Sequence, residues 1–217
     1  MENMLEPERV PPERGAAPAS PFERGELIAA LRSPLCTIDV LLTQKDRWMA
    51  TVDAGHHRAA MAALLVLSSL LFSLPYALVL SPTQPLRVAA LFGGSTLICL
   101  PSLHVVSAYL GLRIQPAQTF AAGAISPAVA SIFAFGFAPI LWFLRATIDA
   151  DNSTGSIPAL SAALLTASAL AGAAHMVRCV NRTRVLSQSG WALFLMLSWL
   201  GLLLFIMHRM AGLLDLR

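Results

Sequence analysis

The chain has 217 residues, of which 12% are charged and 56% hydrophobic, with a mean hydropathy of +0.67 and a formal net charge of +3. A soluble domain ordinarily carries about 25% charged residues, and a globule of this length has too little interior for so much apolar side chain. A disordered chain, a disulfide scaffold and a nucleic-acid-binding domain are thereby excluded, which leaves an all-α, polytopic transmembrane helix bundle.

The charges divide the chain. Residues 1–58 hold nine acidic and seven basic side chains, and the remaining 159 residues hold eight Arg and three Asp. The first part therefore reads as water-exposed and the rest as lipid-embedded. Fourteen of the fifteen basic residues are Arg, the exception being Lys45. With abundant Ala and Gly, that usage looks like a GC-rich bacterial genome. Cys36, Cys99 and Cys179 are too few and too widely spaced for a disulfide framework or a zinc pattern.

In chain order, residues 1–19 are rich in Pro and Glu, show no apolar signal-peptide core, and read as a disordered tail. Residues 20–58 read as short amphipathic helices. Ser20 can cap a first helix, with Pro21 in its first turn and Glu23 closing a capping box, running to about Leu31. Ser33-Pro34 restarts a second helix that reaches about Val52, with Leu35, Ile38, Leu41, Leu42, Trp48 and Met49 partly on one face. Such a lead-in either lies in the headgroup layer or forms a small cytoplasmic cap packed on the bundle; the sequence leaves both open.

A bundle over 59–210 follows, with apolar stretches at 59–80, 88–110, 116–144, 157–177 and 191–207, and a tail at 211–217. Most match the ~20 residues that cross a ~30 Å hydrocarbon core. The third, at 29 residues, would measure about 43 Å as a straight helix. It has to tilt, kink or split, and Pro127 and Pro139 are where a split would fall. The fourth carries Ala163, Ala167 and Ala171 at four-residue spacing with Ser168 and Gly172, which reads as a central helix closely packed on all sides. Gly93, Gly94, Gly123 and Gly136 read the same way. The fifth is lined with Leu193, Phe194, Leu195, Leu200, Leu202, Leu203, Leu204 and Phe205 and reads as lipid-facing.

With the N-terminus in the cytoplasm, that side holds seven bases before the first span, then Arg113, Arg178, Arg182 and Arg184. The other side holds Arg87, Arg145, Arg209 and Arg217. The bias fits an N-inside, C-outside protein of a bacterial inner membrane.

His104 is the ionisable residue well inside a span, and such groups are suspects for function. It follows Pro101 and Ser102, so the plainer reading is a neutral imidazole satisfying backbone freed at a proline kink. His56, His57, His104 and His175 would share one leaflet with Cys179 nearby. Adjacent His56 and His57 do not share a helix face and carboxylates are sparse there, so no metal or other cofactor is expected. Pro101-Ser102-Leu103-His104 is similar to the Pro-Ser-Gly-His motif of membrane phosphatidic acid phosphatases. Leu103 replaces its glycine, however, and the family's flanking Arg, His and Asp motifs are missing. There is no serine-hydrolase elbow, zincin motif or Walker loop, and no Glu after residue 58. Asp149 to Gly155 departs from a calcium loop in its glycine position and in Leu160, which stands where the bidentate Glu belongs. No enzyme is expected.

Arg32-Ser33-Pro34-Leu35-Cys36-Thr37-Ile38, followed by five apolar stretches, resembles the bacterial branch of the Yip family of five-span membrane proteins. The segments around Leu100 to Ser102, Gln118-Thr119 and Ala138 to Ile140 are similar to a group of small uncharacterised bacterial polytopic membrane proteins. The expected function is a scaffold or accessory subunit that meets a protein partner through Pro34, Thr37 and Trp48, with self-association of the bundle as a further option. The alternative is a small permease or channel subunit with a path near His104 and the Pro127 and Pro139 kinks, Pro101 and Ser102 being further candidate functional residues within the membrane.

Overall fold

The computed structural model describes residues 20–55, 57–81, 83–109, 116–148, 156–181 and 190–214. The tail at 1–19, His56, the loop around Asp149 to Gly155 and the connection carrying Arg182 and Arg184 lie outside the described residues. Every regular element described is a helix. Three short ones, α1 (Arg24–Arg32), α2 (Pro34–Leu42) and α3 (Lys45–Ala54), precede five long ones. These are α4 (Arg58–Leu80), α5 (Arg87–Tyr109), α6 (Pro116–Ile148), α7 (Ser156–Asn181) and α8 (Gly190–Leu213). Within α4 to α7, residues 59–80, 87–106, 119–147 and 157–179 are long and apolar enough to cross a membrane. The 24-residue α8 measures about 36 Å at 1.5 Å per residue, which is also enough for its length. The chain is an all-α transmembrane bundle.

The start of the first helix differs from the expected one. Glu23, not Ser20, is the cap, and the box is closed by Glu26, whose carboxylate accepts the Glu23 N–H at 2.9 Å. The reason is tertiary. Phe22 is drawn into the core and donates its N–H to Thr51 Oγ1 at 2.8 Å, which holds the chain extended up to residue 22. The expected second helix also breaks in two. Thr43 Oγ1 bonds back to Asp39 O at 2.6 Å, and α3 then folds back so that Trp48 Nε1 donates to Val40 O at 2.9 Å. The three helices make a cap whose core (Phe22, Leu27, Ala30, Leu41, Trp48, Val52) is continuous with Met61, Leu64 and Leu65 of α4 and Ile125, Ala128 and Val129 of α6. α1–α3 are thus packed on the bundle.

The third span is one helix. Pro127 and Pro139 leave α6 unbroken over 33 residues, about 50 Å. Its first turns, around Phe120 and Ala121, pack against the cap core. Proline inside a membrane helix is tolerated where neighbours re-satisfy the freed backbone, and α6 is flanked by α4, α5 and α7.

α6, not α7, is therefore the central helix. α7 packs on it by one face, carrying Ser161, Leu165, Ser168, Gly172 and Met176, while Ala163 and Ala167 are exposed. That single face comes very close. A Cβ at Gly172 would lie 2.9 Å from Ala130 N and closer still to Ser126 O, both backbone atoms. Glycine is what permits this approach. Of the other glycines, Gly94 meets Met210 and Gly123 meets Leu100 and Leu103, whereas Gly93 and Gly136 face open space. α8 leans on α5, with Leu203 buried and Phe194, Leu202 and Phe205 exposed as expected for a lipid-facing helix.

Candidate functional site

The sequence suspects fall into three places. The first is the cap-side end of α5. Ser102 Oγ donates to Cys99 O at 2.7 Å, the i−3 back-bond expected beside Pro101, and the same carbonyl accepts Trp199 Nε1 of α8 at 3.1 Å. Ser102 and an indole from another helix thus converge on the Cys99 carbonyl, two residues before Pro101. His104 does something else. Its Nδ1 lies 3.1 Å from Thr119 Oγ1 at the start of α6, and the donor role follows the imidazole tautomer. His104 is half-buried and Thr119 buried, so the pair ties the two helices together across their connection. Pro101 itself is exposed.

The second place is the middle of α6. Pro127 is buried, and its carbonyl accepts Ser131 Oγ at 2.8 Å while that hydroxyl lies 3.2 Å from Ser69 Oγ of α4. A cleft of about 250 Å³ opens between α4, α5 and α6, lined among others by Val66, Ser69, Gly93, Thr96, Phe120 and Pro127. The hydroxyls here are turned to protein: Ser69 to Ser131, and Thr96 to Phe92 O at 2.8 Å. Pro139 is exposed and lies apart from this cleft.

The third place is the cap. Pro34 is exposed, but the other two residues expected on a docking face are interior. Thr37 is buried and donates to Ala30 O at 2.6 Å, which pins α2 to α1. Trp48 is 1% exposed, edge-on to Phe22 with ring centroids 5.6 Å apart. Arg47 lies over the other side of this pair, 4.2 Å from the Phe22 centroid, and reaches Glu26 at 2.6 Å. The Glu23 N–H and the Arg47 guanidinium both favour the Glu26 carboxylate and hold it below its ordinary range. What the cap leaves outward is Ile28 on α1 and Leu35 and Cys36 on α2, with Leu35 76% exposed.

His57 begins α4 with a left-handed φ of 55°, and His175 is buried on α7. Among the described residues no three His, Cys, Asp or Glu side chains lie close enough to hold a metal ion.

Two features escaped the sequence reading. Arg145 of α6 donates to the carbonyls of Val79 and of Leu80, the latter at 3.2 Å. It thereby closes the C-terminal end of α4, where a cation is favoured. The second is a cleft of about 340 Å³ between α7 and α8, lined among others by Ala162, Thr166, Leu170, Leu204, His208 and Ala211. His208 was missed because the apolar run ends at Met207, whereas α8 continues to Leu213. No protein-family model, curated protein or solved structure matches the chain.

Proposed function

We propose that the protein is a scaffold or accessory subunit of a bacterial inner-membrane complex, with a cytoplasmic cap that engages a protein partner and no catalysis of its own. The observation that carries this reading is the cap. Its core is shared with α4 and α6, so its orientation on the bundle is set, and it presents Ile28, Pro34, Leu35 and Cys36 outward. Exposed Ile28 and Leu35, on an ordered helix pair at the end of the bundle, are apolar side chains that a partner would cover. The Pro34 to Thr37 leader and the five apolar helices are also the features that liken the chain to the Yip family. A permease would need a polar route joining His104 to the prolines of α6; the hydroxyls near Pro127 are instead engaged with protein, which weighs toward the scaffold.

The test is crosslinking in native membranes followed by purification and mass spectrometry, comparing the natural chain with Leu35→Glu. Removing residues 1–52 would strip Phe22, Leu41 and Trp48 from a shared core, so the point substitution is the cleaner variant. A stoichiometric partner lost in Leu35→Glu at unchanged melting temperature supports the reading. A homo-oligomer with nothing attached in either chain would refute it and favour the permease.

A further inference from the structure

We propose that α1 is set into the bilayer leaflet at the cap end, with the flank that carries Ile28 and Leu31 against acyl chains. This goes beyond the scaffold reading and rests only on the transmembrane fold.

α4 shows where the cap stands. Its apolar span of 22 residues, 59–80, measures about 33 Å, little more than the ~30 Å hydrocarbon core. Nearly all of it is needed to cross, yet its lipid-facing part is shorter. Leu78, Leu71, Leu70, Leu67 and Val66 are exposed, and from Leu65 back to Ala60 no residue is. α5 begins beside the end of α4, after the polar turn of Ser81, Thr83 and Gln84, and behaves differently. It is exposed along its whole length, at Ala90, Leu97, Ile98, Val105 and Tyr109. The covered band of α4 is about 9 Å deep.

The cover is the cap. Ala62 and Ala63 lie one turn before Val66 and Leu67 on the same face of α4. The alanines are half-buried, whereas Val66 and Leu67 are 45% and 50% exposed. α1 packs on α4, and Ala60, Met61, Leu64 and Leu65 share one core with Leu27 and Ala30 of α1. Small side chains admit a second helix at this level, and larger ones meet lipid beyond it. α1, with nine residues, is about 13 Å long and 10–12 Å across, so it matches the band in either direction. It fills space in the leaflet that lipid would otherwise occupy, and lipid therefore borders it.

The two open flanks of α1 decide which side that is. On one, Leu31 is half-buried and Ile28 exposed, with exposed Arg24 and Arg32 one turn either side of Ile28. On the other, about 160° round the helix from Ile28, Glu26 is paired with Arg47 at 2.6 Å and closes the capping box with Glu23. The cap's other acidic residues are on α2 and α3. An apolar strip between two arginines is the layout of a helix lying about 5–10 Å into the boundary between headgroups and acyl chains, since long cationic side chains extend from such a depth to the phosphates. The Glu26–Arg47 flank, with Phe22 and Trp48 beneath it, stays on the water side. Lipid then covers Ile28, and of the two exposed apolar residues offered to a partner, Leu35 is the one left for it.

The test is fluorescence quenching in the purified full chain, reconstituted in vesicles of phosphatidylcholine and phosphatidylglycerol. A bimane label is placed at Ile28→Cys or at Glu26→Cys in a Cys36→Ser chain, and at Leu67→Cys as the reference for full lipid contact. The quenchers are a phospholipid with a nitroxide high on its acyl chain and iodide in the water. Acyl quenching at position 28 is expected to approach the Leu67→Cys value and to exceed that at position 26 several-fold, with iodide ranking the two cap sites in the reverse order. Melting temperatures check that each variant is folded. Acyl quenching no stronger at position 28 than at position 26 would overturn the proposal, as would iodide quenching as strong at 28 as at 26. No partner is present in these vesicles, so either result leaves the Leu35→Glu comparison to be read separately.

Discussion

The cap and the bundle are held together by different chemistry. In the cap, large side chains do the packing: Phe22 against Trp48, with Leu27 and Leu41 buried beside them and an Arg47–Glu26 ion pair over the top. Between α6 and α7 small residues meet: Ala130, Ala134 and Ala169 share one core, and Gly172 lets the backbone of α7 come against Ser126 and Ala130 of α6. The solvent explains the contrast. Water drives large apolar surfaces together at about 25 cal/mol per Å². Lipid supplies no such drive, so helices adhere by close backbone approach and by hydroxyls that find partners, as Ser69 and Ser131 do.

Four changes would break or sharpen this comparison. The largest effect is expected for Trp48→Ala, which removes a buried ring and its bond to Val40 O; such truncations cost about 3–5 kcal/mol. Limited proteolysis should then cut within residues 20–55 while the long helices stay protected. Loss of the whole bundle would mean that the two regions are one cooperative unit. Next is Gly172→Ala. On an open helix this change stabilises by up to ~1 kcal/mol, but here the added carbon meets backbone of α6, so a net loss of about 1–3 kcal/mol is expected from overpacking. Thermal unfolding in detergent reads the sign, and a stabilised variant would show that α7 can move away without penalty. Gly136→Ala is the control for it: with open space at that position, a small gain of at most ~1 kcal/mol is expected.

The smallest effect is the pH response of the cap. The Glu26 carboxyl is held below its ordinary value of 4.5 in the folded chain. Its contribution is therefore fully present above about pH 4.5 and is lost as pH falls through the lowered folded value. Because Glu26 is largely exposed, solvent screening keeps the contribution small. Acid titration of cap unfolding should show it, and Glu26→Gln should flatten that response.

The periodic and compositional features were the legible ones. Five long apolar helices, the helical leader before them and the exposed apolar stripe of α8 can be read from the order of residue types alone. Three-dimensional contacts decided the rest. The helix start moved from Ser20 to Glu23 because Thr51, 29 residues from Phe22, takes the Phe22 N–H. α7 looked central because its small residues repeat every fourth position, yet only the side carrying Ser168 and Gly172 meets a neighbour. A repeat of small residues reports that close packing is available and is silent on how many sides use it. Trp48 reads as a docking residue for a similar reason: an amphipathic stripe marks a face to be covered, and here the chain covers it itself, while Thr37, singled out by the resemblance of the leader to the Yip family, is buried as well. His104 stands out in the sequence as an ionisable residue inside a span, but its partner Thr119 is on the next helix, which no local pattern announces.

The Arg145 contact has a consequence for the order of assembly. The last carbonyls of α4 are closed by a side chain that is translated 65 residues after Leu80. Until α6 has entered the membrane, the end of the first span depends on water or headgroups for those bonds. The first hairpin is accordingly unfinished by itself, and the third span completes it, tying the exit of the leading helix from the insertion machinery to a segment synthesised two crossings later.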